Sequence, residues 1–204
     1  MDASELLQNI RLMPVVVIED DNHAVQLAET LMEAGINAIE ITLRTECALA
    51  AMEKIAKAVP DILLGAGSVR QPEQFTTIAN AGAHFAVSPG HSERLLAAAN
   101  MPYLPGAATP SECMGLLEHG YRLQKFFPAE QSGGLAKIKA MSGPLPEVRF
   151  CPTGGITLNN ARDYLACPAV ACVGGSWFVP ADALRAGDFA SISKLCKEAA
   201  LLAE

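Results

Sequence analysis

Short apolar runs alternate with longer amphipathic stretches along the whole chain. The runs at 13–18, 38–42, 63–66, 85–88, 103–106, 123–127, 148–152 and 170–174 lack polar alternation. That pattern predicts strands covered on both faces, as in a parallel sheet. Between them, 22–34, 46–58, 72–81, 92–99, 110–119, 134–141 and 159–165 carry apolar residues at helical spacing. A short helix over about 3–10 opens the pattern and a longer one over about 184–202 closes it. Ala34-Gly35, Ala81-Gly82 and His119-Gly120 put a glycine where a helix should stop, and Thr109-Pro110 puts a capping residue before a first-turn proline.

Eight strand-then-helix units point to an α/β chain folded as a (β/α)8 barrel with a short N-terminal helix. An open doubly wound sheet is the alternative, but no GxGxxG follows the first strand. No linker or low-complexity stretch interrupts the alternation, so 1–204 reads as one domain.

Composition narrows the functional classes. The chain is 50% hydrophobic and 18% charged, with a formal net charge of −7 and no basic stripe, which argues against a nucleic-acid partner. No apolar run reaches the ~18 residues of a membrane span. The first residues lack the order of a secretion signal, so a cytoplasmic location is expected. Cys47, Cys113, Cys151, Cys167, Cys172 and Cys196 form no CxxC pair and no zinc spacing. They read as reduced thiols, buried or half-buried. The four histidines, His23, His84, His91 and His119, show no ligand spacing, and no metal or cofactor is expected.

Barrel chemistry sits at the C-terminal ends of strands, and several of those ends carry polar residues. In Ala38-Ile39-Glu40-Ile41-Thr42, alternation sends the isoleucines to the helix side and Glu40 into the interior. An unpaired carboxylate there is costly, and a carboxyl out of water suits proton transfer. Lys125 lies in the apolar strand Leu123-Gln124-Lys125-Phe126-Phe127, whereas the other lysines fall in helical stretches. A buried lysine tends to yield a free amine, and a free amine can attack a ketone to form a Schiff base. A purely structural Glu40–Lys125 ion pair predicts the same burial. Arg44, just past Glu40, is placed to meet a carboxylate with its planar fork. Thr153-Gly154-Gly155 and Gly174-Gly175-Ser176 follow strands seven and eight, where barrels commonly bind phosphate through backbone N–H groups. Tight-turn geometry is the plainer reading of those glycines. Trp177, beside them, reads as packing.

Glu40-Ile41-Thr42-Leu43-Arg44-Thr45, Gly65-Ala66-Gly67-Ser68-Val69, Lys125-Phe126-Phe127-Pro128-Ala129-Glu130 and Pro152-Thr153-Gly154-Gly155-Ile156 closely resemble the bacterial 2-keto-3-deoxy-6-phosphogluconate (KDPG) aldolases. That family also covers 4-hydroxy-2-oxoglutarate (KHG) aldolase activity. The likeness runs from about Met13 to Lys194. It implies a homotrimeric class I aldolase with Lys125 as Schiff-base lysine, Glu40 as general acid/base and Arg44 on the substrate carboxylate. Ser68 stands where the family usually has threonine and would contact the pyruvyl part. Thr153, Gly154, Gly155, Gly174, Gly175 and Ser176 resemble the phosphate-side wall.

The resemblance implies cleavage of KDPG to pyruvate and glyceraldehyde 3-phosphate, with KHG or the galactonate isomer of KDPG as alternative substrates. Glu19-Asp20-Asp21, at the end of strand one, departs from relatives that carry basic residues there. Acidic groups at that rim would repel a phosphate dianion unless turned away, which leaves a non-phosphorylated substrate open. Two rival readings are a phosphosugar isomerase or epimerase, with Glu40 alone moving protons, and a silent metabolite-binding barrel. Borohydride trapping with pyruvate separates them, because only an imine is covalently reduced.

Overall fold

The strands and helices of the computed structural model, which describes residues 1–202, follow the alternation of apolar runs and amphipathic stretches closely. Strands β1 (Leu12–Val16), β2 (Ala38–Thr42), β3 (Leu63–Gly67), β4 (Phe85–Val87) and β5 (Tyr103–Leu104) are followed by β6 (Gly106–Ala107), β7 (Leu123–Phe126), β8 (Arg149–Pro152) and β9 (Val173–Gly175). Helices α1 (Ala24–Glu33), α2 (Ala48–Ala58), α3 (Gln74–Asn80), α4 (Glu93–Ala98), α5 (Pro110–Glu118), α6 (Gly134–Ser142) and α7 (Leu158–Leu165) lie between them. All the pairings are parallel. One sheet runs β5-β4-β3-β2-β1-β9 and the other β6-β7-β8. The fold is α/β, with parallel strands covered by helices.

Three local features depart from the alternation. The run at 103–106 is interrupted at Pro105, whose missing N–H breaks the ladder into β5 and β6. The closing helix is two helices, α8 (Ala181–Arg185) and α9 (Phe189–Ala200). Gly187 turns between them at φ +66, and Asp188 then caps α9 by accepting from the Ser191 backbone N–H. The stretch over 3–10 closes into turns rather than a regular helix: Leu7 N–H donates to Ala3 and Ile10 N–H to Leu7. Its packing explains this, because Ala3 and Leu7 are buried against Met13, Phe85, Leu104 and Leu123 inside the sheet. Tertiary burial there outweighs local helix preference.

The predicted punctuation is in place. Thr109 and Glu112 form a reciprocal capping box at α5, with Pro110 in its first turn. Gly35, Gly82 and Gly120 all hold positive φ after their helices. Arg11 draws the start of β1 to the end of α7, donating to the Leu165 and Ala171 carbonyls at 2.7 and 2.8 Å. All six cysteines are free, five of them buried and Cys47 half-buried. Burial pushes the Cys113 thiol up to about 11 and that of Cys196 to about 12, so both are inert at neutral pH. No helix among the described residues is long and apolar enough to cross a membrane.

The apolar side chains fall into two groups, a large one between strands and helices and a smaller one enclosed by the strands. Phe85 is the largest member of the inner group, fully buried, with its ring filling the space beside Gly65. Phe85→Ala is expected to cost about 3–5 kcal/mol, the usual toll of emptying an aromatic site in a packed core. Urea unfolding of the variant checks this, and a loss below 1 kcal/mol would mean that the inner group packs far more loosely than the structure shows.

Candidate active site

Lys125 and Glu40 face each other across the interior of the strand array. Alternation along β2 turns Glu40 inward, and the same rule along β7 turns Lys125 inward, as the apolar pattern implied. The Lys125 Nζ donates to both carboxylate oxygens, at 3.1 and 3.2 Å. Lys125 is 5% exposed and Glu40 2%. Taking two charges out of water is expensive, and a well-packed apolar pair is often as stable or more so. Such a pair is therefore better explained by chemistry than by stability.

The pocket around the pair is shaped by small residues. Glu40 pairs in register with Gly65, and its carboxyl lies against Gly67, where a Cβ would collide with it. Lys125 pairs with Gly106 on one side and Cys151 on the other. Its Nζ stands 5.7 Å from the centre of the Phe127 ring. Above it opens a cavity of about 210 Å³ lined by Arg44, Lys125, Thr153, Gly154, Gly155, Gly175 and Ser176 together with Val15, Val17, Phe127 and Ile156.

Ser68 and Gly174, the other residues predicted from the sequence, contact members of that lining. Arg44, on the exposed rim, donates from Nε to the Ser68 hydroxyl at 3.0 Å. Ser68 holds φ +61, an unusual backbone state for a residue with a side chain, which turns its hydroxyl toward Arg44. Gly174 bridges to Thr153, and the Thr153 hydroxyl fills the space a Cβ at Gly174 would need. The ten residues named from the sequence thus converge on one end of the strand array. Val15, Val17, Phe127 and Ile156 were not singled out. Alternation along strand one marks Val15 and Val17 as sharing a face, but nothing in a run of valines distinguishes a cavity wall from core.

The acidic patch after β1 is largely committed. Asp20 accepts from the Asn22 N–H at 2.9 Å and so caps a 3-10 turn over Asp21–His23. Asp21 meets Lys54 at 2.8 Å, and that hydrogen bond draws its carboxyl below the ordinary range. Glu19 meets Arg185 at 3.1 Å. The histidines serve structure: His84 Nδ1 accepts from the Leu64 N–H, and His23 packs edge-on against Phe189. Trp177 packs on Phe178 and fills the space beside Gly175, in keeping with a packing role.

A buried amine held against a buried carboxylate, with an arginine and glycine-rich backbone lining the cavity above, suits imine chemistry on an anionic ketone. Gly67→Ala is expected to push the Glu40 carboxylate off Lys125 and lower turnover by about 10²-fold, since a shift of an ångström suffices for that. Steady-state kinetics with a circular-dichroism check of folding measures it; unchanged turnover in folded protein would mean that the Glu40–Lys125 contact is dispensable.

Comparison with known proteins adds independent findings. The family described as "KDPG and KHG aldolase" matches residues 3–195. KHG/KDPG aldolase of Escherichia coli K12 is 49% identical over 97% of this chain and 94% of its own length. The 2-dehydro-3-deoxy-phosphogluconate aldolase of Dickeya dadantii is 50% identical over the same shares. Among solved structures, KDPG aldolase of Legionella pneumophila, with pyruvate captured as a covalent carbinolamine, superposes with a TM-score of 0.93. It shows 44% identity over 97% of both chains.

Proposed function

Because the chain belongs to the KDPG and KHG aldolase family, we propose that Lys125 forms the Schiff base and Glu40 moves the protons in its aldol cleavage. The protein is an aldehyde-lyase, a class I aldolase that cleaves KDPG to pyruvate and glyceraldehyde 3-phosphate. The observation that carries the residue assignment is the buried pair: Nζ within 3.2 Å of both Glu40 oxygens, at the floor of a cleft lined by Arg44 and glycine-rich backbone. The covalent carbinolamine with pyruvate in the Legionella relative supports the same reading.

That geometry supports a stepwise cleavage. Arg44 and the Ser68 hydroxyl take the substrate carboxylate, which brings the C2 ketone to Nζ and makes the attack effectively intramolecular. Glu40 accepts a proton from the ammonium, freeing the lone pair that forms the C2–N bond. It then protonates the carbinolamine hydroxyl, which leaves as water to give the iminium. With the iminium as electron sink, Glu40 takes the proton of the C4 hydroxyl, the C3–C4 bond breaks and the aldehyde departs. Protonation of the enamine at C3 and hydrolysis of the iminium release pyruvate and restore the amine. Thr153, Gly154, Gly155, Gly175 and Ser176 line the phosphate end, with Gly174 behind them against Thr153, and glycine-rich backbone of this kind offers N–H groups to an anion.

We also read the two sheets as one closed (β/α)8 barrel forming a single domain over 1–204. β5 and β6 meet at Pro105, and the bridges Phe150–Val170 and Thr153–Gly174 join β8 to the last strand, which supports closure. A cytoplasmic homotrimer is part of the same reading. KHG and the galactonate isomer of KDPG are the alternative substrates, distinguished by assay with each.

Pyruvate with borohydride tests the assignment. Intact mass is expected to show a reduced pyruvyl adduct on the wild type and none on Lys125→Ala, and a folded wild type without adduct would sink it. Glu40→Gln is expected to lower kcat by about 10²–10⁴-fold, the range for losing a general acid/base; a loss below tenfold would reassign the proton transfers.

A further inference from the structure

Beside the Lys125 cleft lies a second cavity of about 270 Å³, and the two share Val17 as a wall. Its other walls come from the loop after β1, with Glu19, Asp20 and His23, and from α8, with Arg185. The chain runs directly from Gly175 and Ser176, on the edge of the first cavity, into α8. The two cavities thus adjoin on the same rim, and among the described residues Arg185 is the only lysine or arginine lining the second.

Charge sets what this rim can hold. Lys125 is engaged by Glu40, and Arg44 is tied to Ser68 at the carboxylate end. A phosphate at the far end of the substrate therefore meets backbone N–H groups but no side-chain cation from the Lys125 cleft itself. Arg185 donates from Nε to Glu19 at 3.1 Å and from one terminal nitrogen to Asp182 at 2.8 Å. Its side chain is 56% exposed, and Glu19 and Asp182 are 57% and 95% exposed. Ion pairs this open to water are weak and exchange readily. A phosphate dianion carries twice the charge of a carboxylate and more acceptor oxygens, and it suits the planar guanidinium fork.

We propose that Arg185 anchors the distal phosphate of the substrate, and that Glu19 holds Arg185 at rest and competes with the phosphate for it. The assignment rests on the aldolase reading: Ser176 and Val17 line the same cleft as Arg44 and Lys125, so a sugar acid with C1 at Arg44 and C2 at Lys125 can extend its far end past them toward the second cavity. Glu19 and Arg185 are then a matched pair that sets how strongly the protein prefers a phosphorylated substrate. The acidic patch does not exclude phosphate; it tunes the affinity for it.

The experiment compares kcat/KM for KDPG with that for its non-phosphorylated counterpart, in wild type, Arg185→Ala, Arg185→Lys and Glu19→Gln. Arg185→Ala is expected to lower the ratio of phosphorylated to non-phosphorylated substrate by about tenfold or more, the weight of one charge-assisted contact. Arg185→Lys should restore much of it, which a merely structural role would not predict, and Glu19→Gln should raise the ratio. An unchanged ratio in Arg185→Ala, an equal loss on both substrates, or a fall in Glu19→Gln would overturn the proposal. Pyruvate–borohydride trapping on each variant separates the layers. An adduct with an unmoved ratio removes Arg185 alone, whereas no adduct in the wild type removes the aldolase assignment and this one with it.

Discussion

The Lys125–Glu40 contact constrains most of what surrounds it. Two opposite charges, both almost wholly out of water, are stable only together, because either one alone would be a buried, uncompensated ion. Their strands must therefore present them at one depth and at hydrogen-bond distance. Register supplies the depth: Glu40 lies level with Val15 and Gly65, and Lys125 level with Gly106 and Cys151. Small neighbours supply the room. Gly67 of β3 borders Glu40, and a methyl group there would occupy the carboxylate's own space, while Gly65 leaves room for the Phe85 ring beneath. The pair, the glycines and the register are one device.

Below that device the interior is apolar and buried. Met13, Ala38, Phe85, Leu104 and Leu123 fill the space between the strands, and Ala3 and Leu7 from the N-terminal segment seal it. Apolar packing beneath the pair lowers the local polarity, so electrostatic interactions there are stronger than in water. Above, the site is open and built from backbone: Thr153 to Gly155 on one side and Gly174 to Ser176 on the other. The arrangement places charge at the floor, apolar matter under it, and hydrogen-bond donors around the mouth. In the proposed reaction this lets the amine meet a ketone with little competition from solvent, while the anionic ends of the substrate stay near the rim.

The rim also shows how local chemistry disposes of charge. Of the three acids after β1, one caps a 3-10 turn, one pairs with Lys54 and one with Arg185. A patch that reads as a block of negative charge in one dimension is three separate local arrangements in the fold. Its effect on ligands depends on which cations stand opposite, and these come from α2 and α8, far away along the chain.

The strand–helix alternation, the inward turn of Glu40 and Lys125 and the glycine-rich strand ends were all legible in the sequence. Each follows from a local rule: period two in strands, period 3.6 in helices, and the cost of a lone charge among apolar neighbours. The long closing helix divided at Gly187, and the opening segment became turns, because burial of Ala3 and Leu7 is a contact with distant residues. The second cavity and the cavity-wall roles of Val15, Val17, Phe127 and Ile156 lay outside the pattern for the same reason. By itself the sequence determined which residues face inward and which functional groups they bring there, since both depend on near neighbours along the chain. Only the tertiary structure decided which of them meet, because register, loop placement and partners such as Arg185 for Glu19 are set by packing between elements remote in sequence.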